Sequence, residues 1–322
     1  MDSVKSYAVF IEKNLVEFTF PSTPLNLYDP LSYFLALGGK RMRPILTILS
    51  GELFEVPKEE SIHAALCIEL FHNFSLIHDD IMDEAPVRRG KETVHKKWSQ
   101  NTAILSGDVL FVHAYKQLAL YSDERLPRLL KCFNEAVVEV CEGQQMDMDF
   151  ESAAEISEEK YLTMIRLKTS VLLGCALEMG AILGRKDEEI AKKLYNFGVK
   201  LGIAFQIQDD ILDLYGNPET FGKQIGGDIL AHKQTLLHIA ARELCKQTNN
   251  PSFNQLLEIK DHAVKVAFAH ELFQSCGALD AATEKMENYY SEAEQMLNEL
   301  ELQGYNIQLL REIAQNLMVR IS

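Results

Sequence analysis

Apolar residues recur at three- and four-residue spacings through Glu60–Asp79, Asn101–Tyr121, Arg128–Asp147, Glu158–Leu183, Glu188–Asp213 and Leu279–Leu300. That is the period of helices with one buried face, and alternating β-branched runs are few. Breaks are predicted at Pro21–Pro30, Gly38–Pro44, Ala85–Gly90, Asp123–Pro127, Gly184–Asp187, Gly216–Gly227 and Gln247–Pro251. They are short and polar, as connections between packed helices are. Ser170–Leu183 carries Val171, Leu172, Leu173, Ala176, Leu177 and Ile182 around much of its circumference, which predicts a central helix wrapped by others. No linker long enough to separate two domains interrupts the pattern. The expectation is an all-α fold, one large helical bundle formed by residues 1–322 as a single domain.

Composition narrows the class. At 322 residues the core can be substantial. With 17 Gly and 9 Pro, and no proline between Pro127 and Pro218, disorder, collagen and a many-turned β-sandwich are disfavoured. A formal net charge of −15 argues against a nucleic-acid partner. The six cysteines form no CxxC pair and have no histidine at zinc-ligand spacing, which fits reduced thiols and a cytoplasmic protein. Met1 to Lys13 lacks the apolar stretch and cleavage site of a signal peptide, and no charge-free apolar run approaches the ~18 residues of a transmembrane segment.

Candidate chemistry lies in a repeated acidic pentapeptide. Asp79-Asp80-Ile81-Met82-Asp83 ends the apolar run Phe71–Ile81, and Asp209-Asp210-Ile211-Leu212-Asp213 ends Phe197–Ile211, 130 residues later. On a helix, residues i and i+4 share a face about 6 Å apart, so Asp79 with Asp83, and Asp209 with Asp213, form two-carboxylate patches. Like charges there repel unless a cation bridges them. Clustered hard oxygens suit Mg²⁺, which keeps waters and shares itself with substrate phosphates. One copy alone reads equally well as a solvated helix end; two copies after matched apolar runs favour metal.

A phosphate substrate needs cations too. Gly38-Gly39-Lys40-Arg41-Met42-Arg43-Pro44 sets three basic groups beside two permissive glycines, able to close on an anion or to form a basic surface turn. Arg88-Arg89-Gly90 offers a guanidinium pair suited to bidentate phosphate contacts, or a plain salt bridge to Asp83. After the second motif, Phe221-Gly222-Lys223-Gln224-Ile225-Gly226-Gly227-Asp228, followed by Lys233, reads as a mobile lid over phosphates or an ordinary exposed loop. Its glycine spacing is not that of a Walker loop.

Taken in order, GGKRMRP, LIHDDIMDEAPVRRG, Gly107-Asp108, EGQQMD at Glu142–Asp147, Lys168-Thr169, FQIQDDILD and GKQIGGDILAHKQT resemble the trans-isoprenyl diphosphate synthases, the family of farnesyl and geranylgeranyl diphosphate synthases. The resemblance runs from Gly38 to about Thr235; beyond it only the helical character persists, and Met318–Ser322 lacks a strongly basic ending. It implies a homodimer of all-α subunits, each with a deep central cavity whose two acidic motifs face one another across the mouth. It also implies about three Mg²⁺ on Asp79, Asp83 and Asp209, supported by Asp80, Asp210, Asp213, Gln144 and Asp147. The allylic diphosphate would meet Arg88, Lys168, Lys223 and Lys233, with Phe205 and Gln206 beside it, and isopentenyl diphosphate would meet Lys40, Arg43, His72 and Arg89. His72 passes a separate test: seven residues before Asp79, it lies about 20° away on the helical wheel, two turns down the same face.

The implied mechanism is ionisation, condensation and elimination. Magnesium and cationic side chains stabilise charge on the diphosphate as the allylic C–O bond breaks. The allylic cation meets the dipoles of Thr169, Gln206 and the Lys168 carbonyl region; the double bond of isopentenyl diphosphate adds, and a proton leaves to the departing diphosphate. No covalent enzyme nucleophile is needed, and a dry cavity prevents quenching by water. In such enzymes residues four, five and eight positions before the first Asp set the cavity floor, here Ser75, Phe74 and Phe71. The wheel places Ser75 about 40°, Phe71 about 80° and Phe74 about 140° from Asp79, which makes Phe71 the expected floor and geranylgeranyl diphosphate (C20) the expected product, with farnesyl diphosphate (C15) as the alternative. A terpene cyclase is disfavoured by the second DDxxD and His72, a non-catalytic partner subunit by both motifs being intact, and a purely structural acidic bundle by the cationic loops.

Overall fold

The computed structural model describes residues 2–216 and 225–318. Lys223, with Phe221, Gly222 and Gln224 of the glycine-rich stretch and the tail beyond Met318, lies outside the described residues. Two compact units emerge, one of residues 1–133 and 176–192, the other of 134–175 and 193–322.

The first unit contains α1 (Asp2–Val16), α2 (Leu25–Leu35), α3 (Met42–Glu52), α4 (Lys58–Met82), the short α5 (Val94–Lys97) and α6 (Gln100–Leu118). Helix α4 packs on α3 and α6, α1 on α3, and α2 on α6. Ser99 starts α6 by accepting a hydrogen bond from the Thr102 N–H at 3.1 Å, which satisfies a donor the first turn otherwise leaves open. The predicted break at Pro21–Pro30 is shorter than expected, because α2 starts at Leu25 and contains Pro30. Pro30 is buried, so packing outweighs the one backbone bond it forfeits. Where only loop was expected, β1 (Val87–Arg88) pairs antiparallel with β2 (Lys91–Glu92). Arg89 and Gly90 form the turn at φ 52° and 74°, a geometry that matches the twist of a two-residue hairpin.

The second unit begins within α7 (Leu126–Ser152), holds α8 (Glu158–Ile165), a π-helical turn (Arg166–Ser170) and the start of α9 (Val171–Leu183), and resumes within α10 (Glu188–Tyr215); the rest of α7, α9 and α10 belongs to the first unit. It closes with helices Leu236–Gln247, Ser252–Glu258, His262–Ser275, Ala278–Leu302 and Gln308–Met318 around an apolar cluster that includes Ile207, Ile239 and Phe273. The continuous helix predicted over 158–183 is thus interrupted. A Cβ on Gly143 of α7 would fall 2.2 Å from the Lys168 nitrogen, and one on Gly202 of α10 would fall 2.7 Å from the Ser170 Cβ. The widened turn therefore sits between two glycines, with the Ser170 hydroxyl donating to the Ile165 carbonyl five residues back. Every apolar residue of α9 is 5% exposed or less, as its unbroken apolar surface predicts.

Candidate active site

In the first unit, α4 delivers the first acidic motif. The helix ends at Met82 with Asp83 as its C-cap, whose N–H donates to the Asp79 carbonyl at 2.9 Å. Asp83 is exposed, Asp79 half-buried, and Asp80 turns inward with 1% exposure. The hairpin carries Arg88 back over the motif, Nε 2.7 Å from Asp80 Oδ1 and Nη2 3.5 Å from Asp79 Oδ2. The sequence allows a salt bridge to Asp83; the ion pairs of Arg88 seen here are to Asp79 and Asp80. Burial pushes the Asp80 carboxyl up to about 6 against the pull of Arg88, while Asp79 and Asp83 push it further up. Asp80 Oδ2 is buried with no hydrogen-bond partner among the described residues.

The basic loop divides its labour. Arg41 is not an anion ligand: it caps α3, is 3% exposed, and bonds Glu12 at 2.7 Å, Glu69 at 2.6 Å and the Leu35 carbonyl at 3.0 Å. Lys40 is exposed, and Arg43 points to a different partner from Arg41. Arg43 Nη1 lies 3.1 Å from His72 Nε2, and Arg43 Nε is buried without a partner among the described residues. Arg89 donates to the Gly38 carbonyl, and its guanidinium lies 3.0 Å from where a Cβ on Gly39 would stand, at a backbone φ of 153° that favours glycine. Burial, then Arg43, Arg89, Arg88 and Arg41, hold the His72 pKa well below its ordinary value. His72 is thus a neutral imidazole whose Nε2 accepts from Arg43. The predicted Arg43 and Arg89 thus stand as two cations around a neutral His72, a grouping suited to an anion.

In the second unit a cavity of about 230 Å³ is lined by Lys168, Thr169, Gln206, Asp209, Asp210, Asp213 and Lys233, all singled out from the sequence, together with Asp147. Lys168 Nζ reaches Asp147 Oδ2 at 2.6 Å. Thr169 Oγ1 donates to Gln206 Oε1 at 3.2 Å, and Gln206 Nε2 donates to Asp210 Oδ1 at 3.1 Å. The Tyr161 hydroxyl donates to the other Asp210 oxygen. Burial and then Asp228 push the Asp210 carboxyl up to about 8, opposed by those two hydrogen bonds. Asp213 Oδ2 accepts from the Asp228 N–H at 3.0 Å and its carbonyl from the Gly226 N–H at 2.7 Å. Apolar Phe150, Ile156, Met164 and Ile165 complete the wall. Phe205 is half-buried and is not among the residues lining this cavity, and the Gln144 amide nitrogen is buried without a partner among the described residues.

The proposed floor residues meet more rings than the wheel foresees. Phe71 is fully buried, with ring centroids 5.6 Å from Phe74, 5.6 Å from Phe111 and 5.5 Å from Phe133. Phe74 stacks on Phe111 of α6 at 4.9 Å, so α6 joins two rings that the wheel holds apart. The Ser75 hydroxyl donates to the His72 carbonyl at 2.9 Å. Sequence reasoning missed Phe111, Tyr161 and Asp228. A tyrosine on the buried face of a short helix needs a partner for its hydroxyl, which is the one signal that could have found Tyr161.

The donor set fits magnesium. Among the described residues no three His, Cys, Asp or Glu side chains stand close enough to hold a metal alone, and the carboxylate oxygens present suit a hard cation that completes its shell with water and phosphate. No helix among them is long and apolar enough to cross a membrane.

A profile of the polyprenyl synthetase family matches residues 24–273. The geranylgeranyl pyrophosphate synthase of Geoglobus acetivorans is 39% identical over 303 residues, covering 91% of each chain. The geranylfarnesyl diphosphate synthase of Aeropyrum pernix is 36% identical over 283 residues, 86% of this chain and 88% of its own. A crystal structure of a geranylgeranyl pyrophosphate synthase superposes with a TM-score of 0.91 at 39% identity, covering 100% of this chain and 99% of the other. The all-α fold, the ordered motifs and these similarities place the chain in the polyprenyl synthetase family.

Proposed function

We propose that the chain is a trans-prenyltransferase that condenses isopentenyl diphosphate with an allylic diphosphate to give geranylgeranyl diphosphate. The observation that carries this is the cavity of the second unit, which sets carboxylates and two lysines beside an apolar wall. A ligand with an anionic head and a hydrocarbon tail matches that lining. We read residues 1–322 as one synthase domain; the boundaries between the compact units fall inside α7, α9 and α10.

Asp79, Asp83 and Asp209 would hold magnesium, which when bound neutralises charge gathering on the allylic diphosphate as its C–O bond breaks. Lys168 and Lys233, with Arg88 and Lys223, bind the oxygens of that diphosphate; Lys168 exchanges its bond to Asp147 for one to substrate. Lys40, Arg43, His72 and Arg89 bind isopentenyl diphosphate, His72 by orienting Arg43. The Thr169 hydroxyl and Gln206 carbonyl, fixed on one another and on Asp210, present dipoles to the allylic cation without attacking it. The apolar wall excludes the water that would trap it as an alcohol. The new C–C bond forms from the double bond of isopentenyl diphosphate, and the proton lost goes to the departing diphosphate.

Incubation with Mg²⁺, isopentenyl diphosphate and dimethylallyl, geranyl or farnesyl diphosphate, followed by dephosphorylation and chromatography, tests the reading. A C20 alcohol is expected. A C15 or C25 product would replace the chain-length assignment, and no product from any starter would remove the activity. Phe71→Ala is expected to lengthen the product; an unchanged spectrum would shift the floor to the Phe74–Phe111 stack. A homodimer in the cytoplasm is the expected setting. Leu105 and Val112, one above the other on α6 and 56% and 57% exposed, support a covered face, and light scattering gives the mass.

A further inference from the structure

The strand of chain leaving the cavity of the second unit carries a histidine in a position made for glycine. The four-residue helix Gly227–Leu230 ends at Ala231, and the Lys233 N–H reaches back to the Asp228 carbonyl at 2.9 Å. In that closing motif the residue after the C-cap takes left-handed backbone angles, where glycine is relaxed and a side chain is not. Here it is His232, at φ 56°. A strained residue persists where its surroundings over-determine it, and such residues cluster at functional sites.

The surroundings are specific. His232 lines the cavity next to Lys233, and its Nδ1 lies 3.3 Å from Lys265 Nζ. An ammonium only donates, so Nδ1 is the acceptor and the imidazole proton sits on Nε2. Lys265 belongs to the helix His262–Ser275 and is only 6% exposed. Burial alone pushes its pKa down, with no carboxylate among the described residues opposing it. A buried cation without a counter-charge is expensive to keep. Its closeness to the turn is enforced next door, where a Cβ on Gly226 would lie 2.6 Å from the Val266 side chain.

We infer that His232 is a binding residue for the diphosphate of the allylic substrate, presenting Nε2–H beside Lys233, and that Lys265 is the positioning residue that fixes its tautomer and orientation. This rests on the reading of the cavity as an allylic diphosphate site and adds to it a pair that the acidic and basic motifs do not contain. The strain at position 232 is then the cost of placing a donor where glycine would give none.

Steady-state kinetics on the full chain test the pair. His232→Gly relieves the backbone, so its melting temperature should equal or exceed that of the unsubstituted protein, while KM for the allylic diphosphate rises about ten- to a hundredfold, as loss of a hydrogen bond to a charged group predicts. KM for isopentenyl diphosphate should not follow. His232→Asn, which tolerates a left-handed backbone and keeps an N–H donor, should recover most of the loss. Lys265→Met should raise the same KM by a similar factor and add nothing in the His232→Gly background. An allylic KM unchanged by His232→Gly, or a full Lys265→Met effect in that background, would overturn the inference. Calorimetric titration of inorganic pyrophosphate with Mg²⁺ separates it from the reading beneath: weaker binding by His232→Gly supports the site even if no prenyl product forms, and equal binding overturns it.

Discussion

The two acidic motifs have one sequence pattern and two solutions to the same electrostatic problem. In both, the middle aspartate is buried, Asp80 at 1% exposure and Asp210 at 7%. Asp80 is compensated by a full cation, the Arg88 guanidinium 2.7 Å away. Asp210 is compensated by two neutral donors, the Tyr161 hydroxyl and the Gln206 amide. Burial is the first cause at both and weighs more at Asp210, where Asp228 adds to it; the result is about 6 for Asp80 against the pull of Arg88 and about 8 for Asp210 against its two donors. A repeated motif therefore specifies which oxygens are supplied, while the partners brought by other elements decide the protonation state of each copy.

The largest effects should be blind to this difference. Asp79→Asn and Asp209→Asn each remove a proposed magnesium ligand, and each should lower kcat by about 10³-fold, the scale of losing a main stabiliser of developing charge. Single-turnover rates at saturating Mg²⁺ measure it. If one variant keeps a tenth or more of the activity, the motifs are not equivalent metal sites and the comparison must begin from that asymmetry.

Stability should separate the motifs where activity does not. Arg88→Met strips the cation from a buried carboxylate, and because Asp80 can take up a proton instead, the loss is capped at roughly 2 kcal/mol. Tyr161→Phe removes one neutral donor and should cost about 1 kcal/mol. Denaturant unfolding of both variants at pH 7 gives the order. A reversed order would mean that hydrogen bonding, not charge, compensates these buried acids.

The pH dependence sharpens the point. The unfolded Asp210 carboxyl titrates near 3.8 and the folded one near 8, so between those values the folded chain holds a proton the unfolded chain has lost. Stability then falls as pH rises through the window, by about 1 kcal/mol per pH unit from this group. Asp80 has the same sign but is largely finished above 6. His238, pushed down to about 4 chiefly by burial, has the opposite sign and loses stability only as pH falls below about 6.5. Between pH 7 and 8 the slope therefore belongs to Asp210. With chelator present, the melting temperature should fall over that interval, and Asp210→Asn should flatten it.

How much of this was legible in the sequence follows from what periodicity can carry. The long helices appear because burial imposes a 3.6-residue repeat on their sequences, and the motifs appear because their residues are adjacent along the chain. Partners from elsewhere leave no such trace. Nothing around Tyr161 announces Asp210, and the burial of Arg41 between Glu12 and Glu69 is invisible in a loop that reads as three equivalent cations. The π turn escaped for a related reason, since its cause is two glycines on other helices. The wheel fixed Phe71 and Phe74 relative to Asp79 but could not see Phe111 of α6 stacking on one of them.

The last positions of the two motifs offer the finest test, with the smallest effect. Asp83 is exposed at the end of α4, whereas Asp213 already accepts from the backbone of the following turn, through Asp228 N–H at 3.0 Å. An Asn at 213 keeps an oxygen for that bond and loses only charge, so Asp213→Asn should lower kcat by about threefold, the scale of a modest charge effect near a site. Asp83→Asn takes a charge from a proposed metal ligand and should cost far more. Equal losses would make Asp213 a ligand and return the two motifs to full symmetry; a small loss at 213 alone means the repeat is used asymmetrically, two aspartates working at one copy and one at the other, with the spare carboxylate holding the loop that carries His232 and Lys233.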